Sequence, residues 1–581
     1  MIAQKGPGFL SLVLLVIVIP MLISVALPAV AEVATANCQV LTPLDADDLM
    51  LFQFESDPVD RETLPRDMRF NLGEIRVVRQ RVFEEEKNWL HRVANRYHPL
   101  TREDVILAIL PLRGGSTVDM RALGEAERIL RSKPYLYDAR VIPYRRCGDT
   151  LDIYVVTRDI WSLEPRLSFD RAGGENSYAL GVGDSNIMGT GRAAYFSYFS
   201  NEDRDGVAFS YADPNLRQTR WGLNLLAADS SDGSRYAAAI RRPFFALDAR
   251  RAMNLAGDRY RRQEGLYFLS SKFWEYEADS RVGDFSLAAS PGIHGGTVNR
   301  FRLGLGYERY EFDYPLALLA RVDVRDAEDR KLVYPYFSYQ RINDNYDKRL
   351  NLDRVYRTED VALGSVMGVQ LGWSADRFGG KGDKLIGSVS YQDSLWLASN
   401  QLLTYDLSLS GRYDLDRNRS EDFLAQVELS YRYRHAEAFG LLARAAMAVA
   451  HNPPLDKQLV LGGDTGLRGY PTRYQIGDSW YLLTIEERYY SDIYPFRMFR
   501  LGAAVFADVG RAWYRNEAPG WVPPDRSASY FDTLANVGVG LRLESTRTRR
   551  DRLLHIDLAL PVRDGPETRN LELTVTVKQS L

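Results

Sequence analysis

The sequence predicts a membrane all-β protein: an antiparallel transmembrane β-barrel of about 16 strands, preceded by a small α+β domain. Three observations point there. From roughly Pro165 to Leu581, apolar and polar residues alternate with a period of two. After Ala31, no uncharged apolar run reaches the roughly 18 residues that a membrane-spanning helix needs. The 581 residues include 44 Gly and more Tyr than Phe, 34 against 24, at a mean hydropathy of -0.30. Averaging a lipid-facing and a wet face gives a membrane barrel this soluble-looking value, and Tyr suits the boundary between lipid and water.

Lys and Arg total 74 against 77 Asp and Glu, a net charge of -3. That balance argues against a basic polyanion-binding protein, and no nucleic-acid partner is expected. Two cysteines exclude a disulfide-rich scaffold. A length prior of about 150 residues per domain would suggest about four domains, but a single large barrel reduces this to two folded units.

Taken in order, residues 1–31 read as a signal peptide. Lys5 is the sole charge, an apolar run spans Phe9 to Leu27, and Ala29 and Ala31 offer a small-residue cleavage site. A retained anchor is the rival reading, which Pro20 and Pro28 disfavour. Residues 32–72 form an N-terminal lead. Cys38 and Cys147 could pair in an oxidising compartment and pin this lead to the next domain, or stand as two free buried thiols.

Residues 73–159 read as one compact α+β unit in the order strand, helix, helix, strand, strand. Ile75 and Val77 open a strand, and Thr101 is an N-cap before Val105, Ile106, Ile109 and Leu110 at helical spacing. Leu123, Ala126, Ile129 and Leu130 form the buried stripe of a second helix, Val118 to Ser132. Strands Ala139 to Tyr144 and Leu151 to Thr157 flank a turn at Gly148. This order, with LRGGSTVDMRALGEAERILRSKPYLYDARV and DTLDIYVVTRD, resembles a single POTRA domain. The resemblance implies a periplasmic module that holds extended polypeptides along an exposed sheet edge. A generic spacer is the alternative.

Residues 165–581 are the predicted outer-membrane barrel. Phe423, Ala425, Val427, Leu429, Tyr431 and Tyr433 alternate with Leu424, Gln426, Glu428, Ser430, Arg432 and Arg434. The same split sets Ala503, Val505 and Ala507 against Phe506, Asp508 and Gly510, and Val537, Val539 and Leu541 against Asn536, Gly538 and Arg542. Glu486 and Arg488 fall on the lumenal side of their strand, and Glu487 points outward near its end. Asn201 to Asp205, Asp229 to Ser234 and Asp414 to Asp422 mark turns. The stretch Ala246 to Asn400 does not parse cleanly into strands.

Three further stretches narrow the choice. LGGDTGLRGYP (Leu461 to Pro471), YLLTIEERYY (Tyr481 to Tyr490) and AVFADVGRAW (Ala504 to Trp513) resemble the Arg-Gly-aromatic loop and two partner strands of the BamA/TamA superfamily, the bacterial surface antigens. GVGDSNIMGTGRAAYFSY, YADPNL, LANVGVGLRLES and LHIDLALPV resemble its opening and closing strands. The resemblance implies that Arg468 folds into the lumen against Asp508 and Glu486, in a structural lock that also includes Gly469, Tyr470, Arg488 and Gly510; a latch whose arrangement changes during transport is the alternative. A guanidinium can hold carboxylates through paired, charge-assisted hydrogen bonds, and Gly469 would allow a sharp turn. One departure from the superfamily is the non-aromatic terminus, Lys578 to Leu581.

No catalytic chemistry is expected. His91, His98, His294, His435, His451 and His555 show no metal spacing, Gly379 to Gly382 reads as a turn, and no cofactor is implied. The resemblance implies an outer-membrane assembly, insertion or translocation factor that works without nucleotide hydrolysis. Its partners would be unfolded outer-membrane or secreted polypeptides, outer-membrane lipids, and periplasmic or envelope proteins. A dedicated two-partner secretion translocator is the alternative, although such proteins usually carry two POTRA domains; a passive porin is the more distant one.

Overall fold

The computed structural model describes residues 38–578, apart from 43–44, 51–53, 55–63, 66–67, 84–88, 324, 351, 353–357, 524–531, 547–552 and 564. The signal-peptide reading of 1–31 lies outside the described residues, as do Gln579 to Leu581.

The small domain is a mixed sheet of β1 (Cys38–Val40), β2 (Phe70–Gln80), β3 (Thr117–Val118), β4 (Leu136–Cys147) and β5 (Thr150–Asp159), in the order β1-β4-β5-β2-β3. The β2 and β5 strands run parallel and the other pairs antiparallel. Helices α1 (Ala46–Met50), α2 (Trp89–Tyr97), α3 (Glu103–Ile109) and α4 (Met120–Arg131) complete it. Ile106, Leu110, Leu123, Ala126 and Leu130 bury the α3 and α4 stripe against Leu72, Val141 and Ile153. On the other sheet face, Leu49 and Phe54 pack on Val78, Ile142, Tyr154 and Val156.

The fold therefore begins well before Gly73. The lead supplies β1, which pairs with Arg145 to Cys147, and a Cys38–Cys147 disulfide joins the two strands. Its few apolar residues carry no long period, so only their packing partners reveal their part in the core. Two other local expectations are corrected. Helix α2 is an addition to the expected order, and the N-cap position of α3 falls on Arg102, whose side chain makes no capping hydrogen bond, rather than on Thr101. Thr101 is instead buried, where its amide and hydroxyl donate to Asp159 Oδ2 at 2.6 and 2.8 Å.

The second unit is a closed antiparallel barrel that starts with Leu163–Ala172 and ends with Glu572–Lys578. It has 20 strands, not about 16. The stretch that would not parse, Ala246 to Asn400, holds six of them, and the short hairpins from Leu163 to Arg242 hold another six. Arg251–Phe268, Ser271–Ala289 and Thr297–Asp313 are 18, 19 and 17 residues long. They outrun the 9–11 or so residues needed to cross a bilayer. Over the first part of Arg251–Phe268 the outward face is apolar, with Leu255 opposite Phe285. Farther along, the same face carries Arg259 and Arg261 paired with Asp279 and Glu277. A strand whose outer face changes from oily to charged loses the pattern by which a membrane strand is recognised.

Outward residues such as Val505, Val539, Leu541, Ile485 and Leu483 are exposed, whereas Asp508, Asn536, Arg542 and Glu486, on the alternate positions of the same strands, are buried. An apolar belt this continuous far exceeds the few hundred Å² that a soluble surface tolerates, so lipid is its solvent. Aromatic pairs ring both ends: Tyr178–Tyr198 and Tyr481–Trp513 at one, Phe439–Tyr489 and Phe301–Tyr339 at the other.

An even number of strands brings the start and finish of the barrel to one end, the proximal end, where the small domain sits. There Arg102 N–H donates to Gly189 O at 2.9 Å and Asn186 Nδ2 to Thr101 Oγ1 at 2.8 Å. A proximal hairpin, Tyr346–Leu350 with Thr358–Ala362, receives α4. Arg131 is fully buried between Glu127 and Asp360, Arg128 and Arg121 reach Asp344 at 2.9 and 3.3 Å, and Lys348 pairs with Glu127.

Replacing Cys38 with Ser should lower the stability of the small domain by about 2–5 kcal/mol, because its bond closes a long loop in the unfolded chain. The check is urea denaturation of the full chain, followed by protease cleavage within residues 38–159, with and without reductant. The variant and the reduced wild type should lose protection together.

Candidate functional site

The site is built by the long distal connection between Phe439–His451 and Ser479–Tyr490, which folds back into the lumen. Its base is a short hairpin, Leu459–Leu461 with Gln475–Gly477. Leu461, Leu467, Tyr470 and Ile476 anchor the loop in an apolar cluster with Leu482, Ala512 and Leu534 of the wall. Tyr470 Oη donates to the carbonyls of Ala535 and Arg563, at 3.0 and 3.2 Å. The apolar anchor fixes the backbone, so the guanidinium between Leu467 and Gly469 is presented in one place.

Arg468 holds Asp508 through both carboxylate oxygens, from Nε and Nη2 at 2.9 Å each. Its Nη1 reaches Glu486 Oε2 at 3.0 Å and Asp557 Oδ2 at 3.1 Å, and the guanidinium carbon lies 3.3 Å from the centroid of the Phe506 ring. Asp508 also accepts from its cross-strand neighbours, Thr484 Oγ1 at 2.9 Å and Asn536 Nδ2 at 2.8 Å. Arg488 Nε donates to Glu486 Oε1 at 3.0 Å. Arg542 reaches Glu486 Oε2 at 3.2 Å and also pairs with Asp557. Three buried guanidiniums thus face three buried carboxylates. Formal neutrality and multiple hydrogen bonds make such a set tolerable where water is scarce.

The structure brings Arg468, Glu486, Arg488 and Asp508 into one network. Gly469 and Gly510 serve by leaving space. A Cβ on Gly469 would come 2.7 Å from Asn536 Cβ, and its φ does not lie in the left-handed region, so close approach rather than a sharp turn requires glycine. A Cβ on Gly510 would meet Leu461 Cδ2 at 3.1 Å.

Sequence reasoning did not assign Asp557, Arg542 or Phe506 to the network. A usable signal was present in NVGVGLRLES and LHIDLALPV. Arg542 and Asp557 are charged residues on inward positions, and Gly538 and Gly540 alternate with the lipid-facing valines. Phe506 covers Gly538, and the Arg542–Asp557 pair crosses Gly540.

The same loop touches both sides of the closure. Thr574 Oγ1 on the last strand lies 3.5 Å from Arg468 O, and Gly469 packs on the strands at Asn536 and Pro561. On the other side, Thr472 N–H donates to Gly173 O at 3.3 Å in the first hairpin turn. Arg473 binds Glu202 and Asp203 in the next distal turn, at 2.5 and 2.8 Å. The closure beneath it is thin. The last strand meets the first at a single register pair among the described residues, Val575 with Arg171. Val577 N–H is satisfied by the Asp170 side chain at 3.1 Å. The neighbouring pairings hold seven and ten residue pairs.

No protein-family model and no curated relative matches the chain. Among solved structures it is similar to BamA from Haemophilus ducreyi lacking POTRA domains 1–3. The identity is 13% over 88% of this chain and 84% of that one, with a TM-score of 0.37. It is also similar to CdiB from Acinetobacter baumannii, at 12% identity over 87% and 74% of the two chains with a TM-score of 0.42. For CdiB from Escherichia coli the identity is 11% over 92% and 94%, with a TM-score of 0.36.

Arg468→Ala leaves three buried carboxylates with two guanidiniums and should cost about 3–5 kcal/mol. Arg468→Lys should recover only part of this, since an ammonium cannot hold Asp508 bidentately. The measurement is the temperature at which the folded barrel shifts to unfolded mobility on a semi-native gel.

Proposed function

We propose that the protein is a polypeptide insertion or translocation factor of an outer membrane, of the BamA/TamA-like kind that its motifs resemble, with the small domain in the periplasm. The observation that carries this reading is the seam. An unsatisfied backbone group in lipid costs several kcal/mol, so a barrel parts where the fewest backbone pairs must break. Here that place is between Leu163–Ala172 and Glu572–Lys578, with a single register pair between them among the described residues. Once parted, each strand would offer an edge to an incoming strand.

The small domain adds a second edge, close to the proximal mouth. The β3 strand pairs only with Phe70 and Asn71 of β2, so β2 from Ile75 to Arg79 has no strand partner on that side among the described residues. An extended client could be held there by main-chain hydrogen bonds and passed toward the seam. Client folding and apolar burial in lipid would drive the transfer, so no nucleotide site is needed. Arg468 and its loop would then be the latch that keeps the seam shut between clients.

The test introduces Arg171→Cys with Val575→Cys, register partners across the seam, in the otherwise intact chain. Oxidation should abolish insertion or export of client polypeptides, and reductant should restore it to the level of the wild type under the same reductant, which also opens Cys38–Cys147; full activity with the seam covalently tied would overturn the reading. Depletion in cells separates the branches. Broad loss of outer-membrane barrels supports insertion, and loss of one large exoprotein supports dedicated secretion. Unchanged protein content with altered solute uptake would overturn both.

A further inference from the structure

Almost all the lumenal arginines described above face a carboxylate, and the same holds for Arg330 with Asp456 and Arg412 with Asp422. One cluster does not. Near the proximal mouth, a cavity of about 400 Å³ is lined by Arg241, Arg242, Arg300 and Arg302, with Phe244 and Gln340 among its other walls. Strand alternation sets Arg300 and Arg302 on the lumenal face, because Phe301, Leu303 and Leu305 between and beside them are exposed to lipid. Arg241 shares that face through its register partner Asn254, itself opposite the buried Ser286.

Among the described residues, none of the four guanidiniums has a carboxylate within ion-pair distance. Arg300 donates to Gln340 Oε1 at 3.4 Å and lies 4.6 Å from the Phe244 ring centroid, and its Nε is buried without a hydrogen-bond partner. The carboxylates nearby are engaged elsewhere. Asp284 is held by Asn254, by Tyr336 Oη at 2.6 Å and by Ser286 Oγ at 3.3 Å. Glu125 of α4 acts on Arg300 across the domain boundary, but it accepts the Leu247 amide at 2.6 Å and lies 3.7 Å from Arg121. The rim is positive as well: burial lowers the pKa of Arg220 on a proximal turn, and Arg113 and Arg242 lower it further.

Arg300 is half-buried and Arg241, Arg242 and Arg302 reach the water of the mouth, so the four guanidiniums converge on one space that an anion of high charge density can enter. Guanidinium groups bind phosphate through paired, charge-assisted hydrogen bonds. A carboxylate brings one charge on two oxygens, and the carboxylates of an acidic polypeptide are spaced along its chain. A phosphate concentrates up to two charges on three terminal oxygens. The volume is at the small end of ligand pockets, enough for a phosphate with a small polar body.

We propose that this cavity is a binding site for a phosphate ester, held by Arg241, Arg300 and Arg302 inside the proximal mouth with Arg242 at its rim. The shared chemistry is that of a glycerophospholipid headgroup and of a free phosphorylated small molecule. The site is independent of the seam, so its failure would leave the proposed function untouched.

The test is calorimetric titration of the purified full chain in nonionic detergent with inorganic pyrophosphate, glycerol 3-phosphate, dihexanoyl phosphatidylglycerol and a Glu-rich peptide. Pyrophosphate and at least one ester should bind saturably, and Arg300→Gln with Arg302→Gln should weaken both at least tenfold while the heat-modifiable gel mobility persists. If that pair of substitutions does not fold, Arg241→Gln alone, near the end of its strand, should weaken binding threefold or more. Tighter binding of the lipid than of glycerol 3-phosphate assigns the site to a lipid headgroup; the reverse assigns it to a free phosphate ester. No saturable phosphate binding, equal binding by wild type and variants, or binding of the acidic peptide without pyrophosphate would each overturn the proposal.

Discussion

A barrel wall in lipid must pair nearly every backbone N–H and C=O within itself, because the hydrocarbon offers no substitute partner. Along most of this wall long antiparallel registers meet that demand. At the closure, among the described residues, they thin to Val575 with Arg171, and the Asp170 side chain stands in for a backbone acceptor at Val577. Much else in the distal half can be understood as compensation. The lumenal loop touches the last strands through Arg468 and Gly469 and the first strands through Thr472 and Arg473, so it spans the place where the wall itself is weakest.

The loop could not do this as a purely apolar plug. Leu467 and Tyr470 supply burial, but burial has no direction. Arg468 supplies direction: its planar donors fit Asp508 bidentately and still reach Glu486 and Asp557 on other strands. A buried ion network of this kind adds little stability over a well-packed apolar core, yet it penalises any arrangement that leaves a charge alone. The small domain is seated by the same chemistry at the other end, where Arg131, fully buried, lies between Glu127 and Asp360.

Much of this was legible in residue order. Period-two alternation put Asp508, Glu486 and Arg488 on the inner face, and the Arg-Gly-Tyr motif singled out Arg468. Asp557 and Arg542 lay equally on inner positions but could not be attached to the site, because no local pattern states which strands stand beside each other. The long strands after Arg251 escaped parsing for a related reason. Beyond the lipid, outward positions such as Arg259 and Asp279 are free to be charged, so the longest strands look least like membrane strands. Thr101 shows the limit at shorter range: a good capping residue was diverted to Asp159 because a neighbouring element offered a buried acceptor.

The sequence by itself determined the two-unit organisation, the barrel class, the lipid face of the strands outside Ala246 to Asn400, and the identity of the central arginine. All of these follow from side-chain period and residue type over a few positions. Tertiary structure alone decided the number of strands, the thin register at the closure among the described residues, the company Arg468 keeps, the seating of α4 on a proximal hairpin, and the gathering near the mouth of four arginines with no carboxylate partner among the described residues. Each depends on which distant segments become neighbours. That is fixed by strand register and barrel closure, which residue order constrains only through the assembled whole.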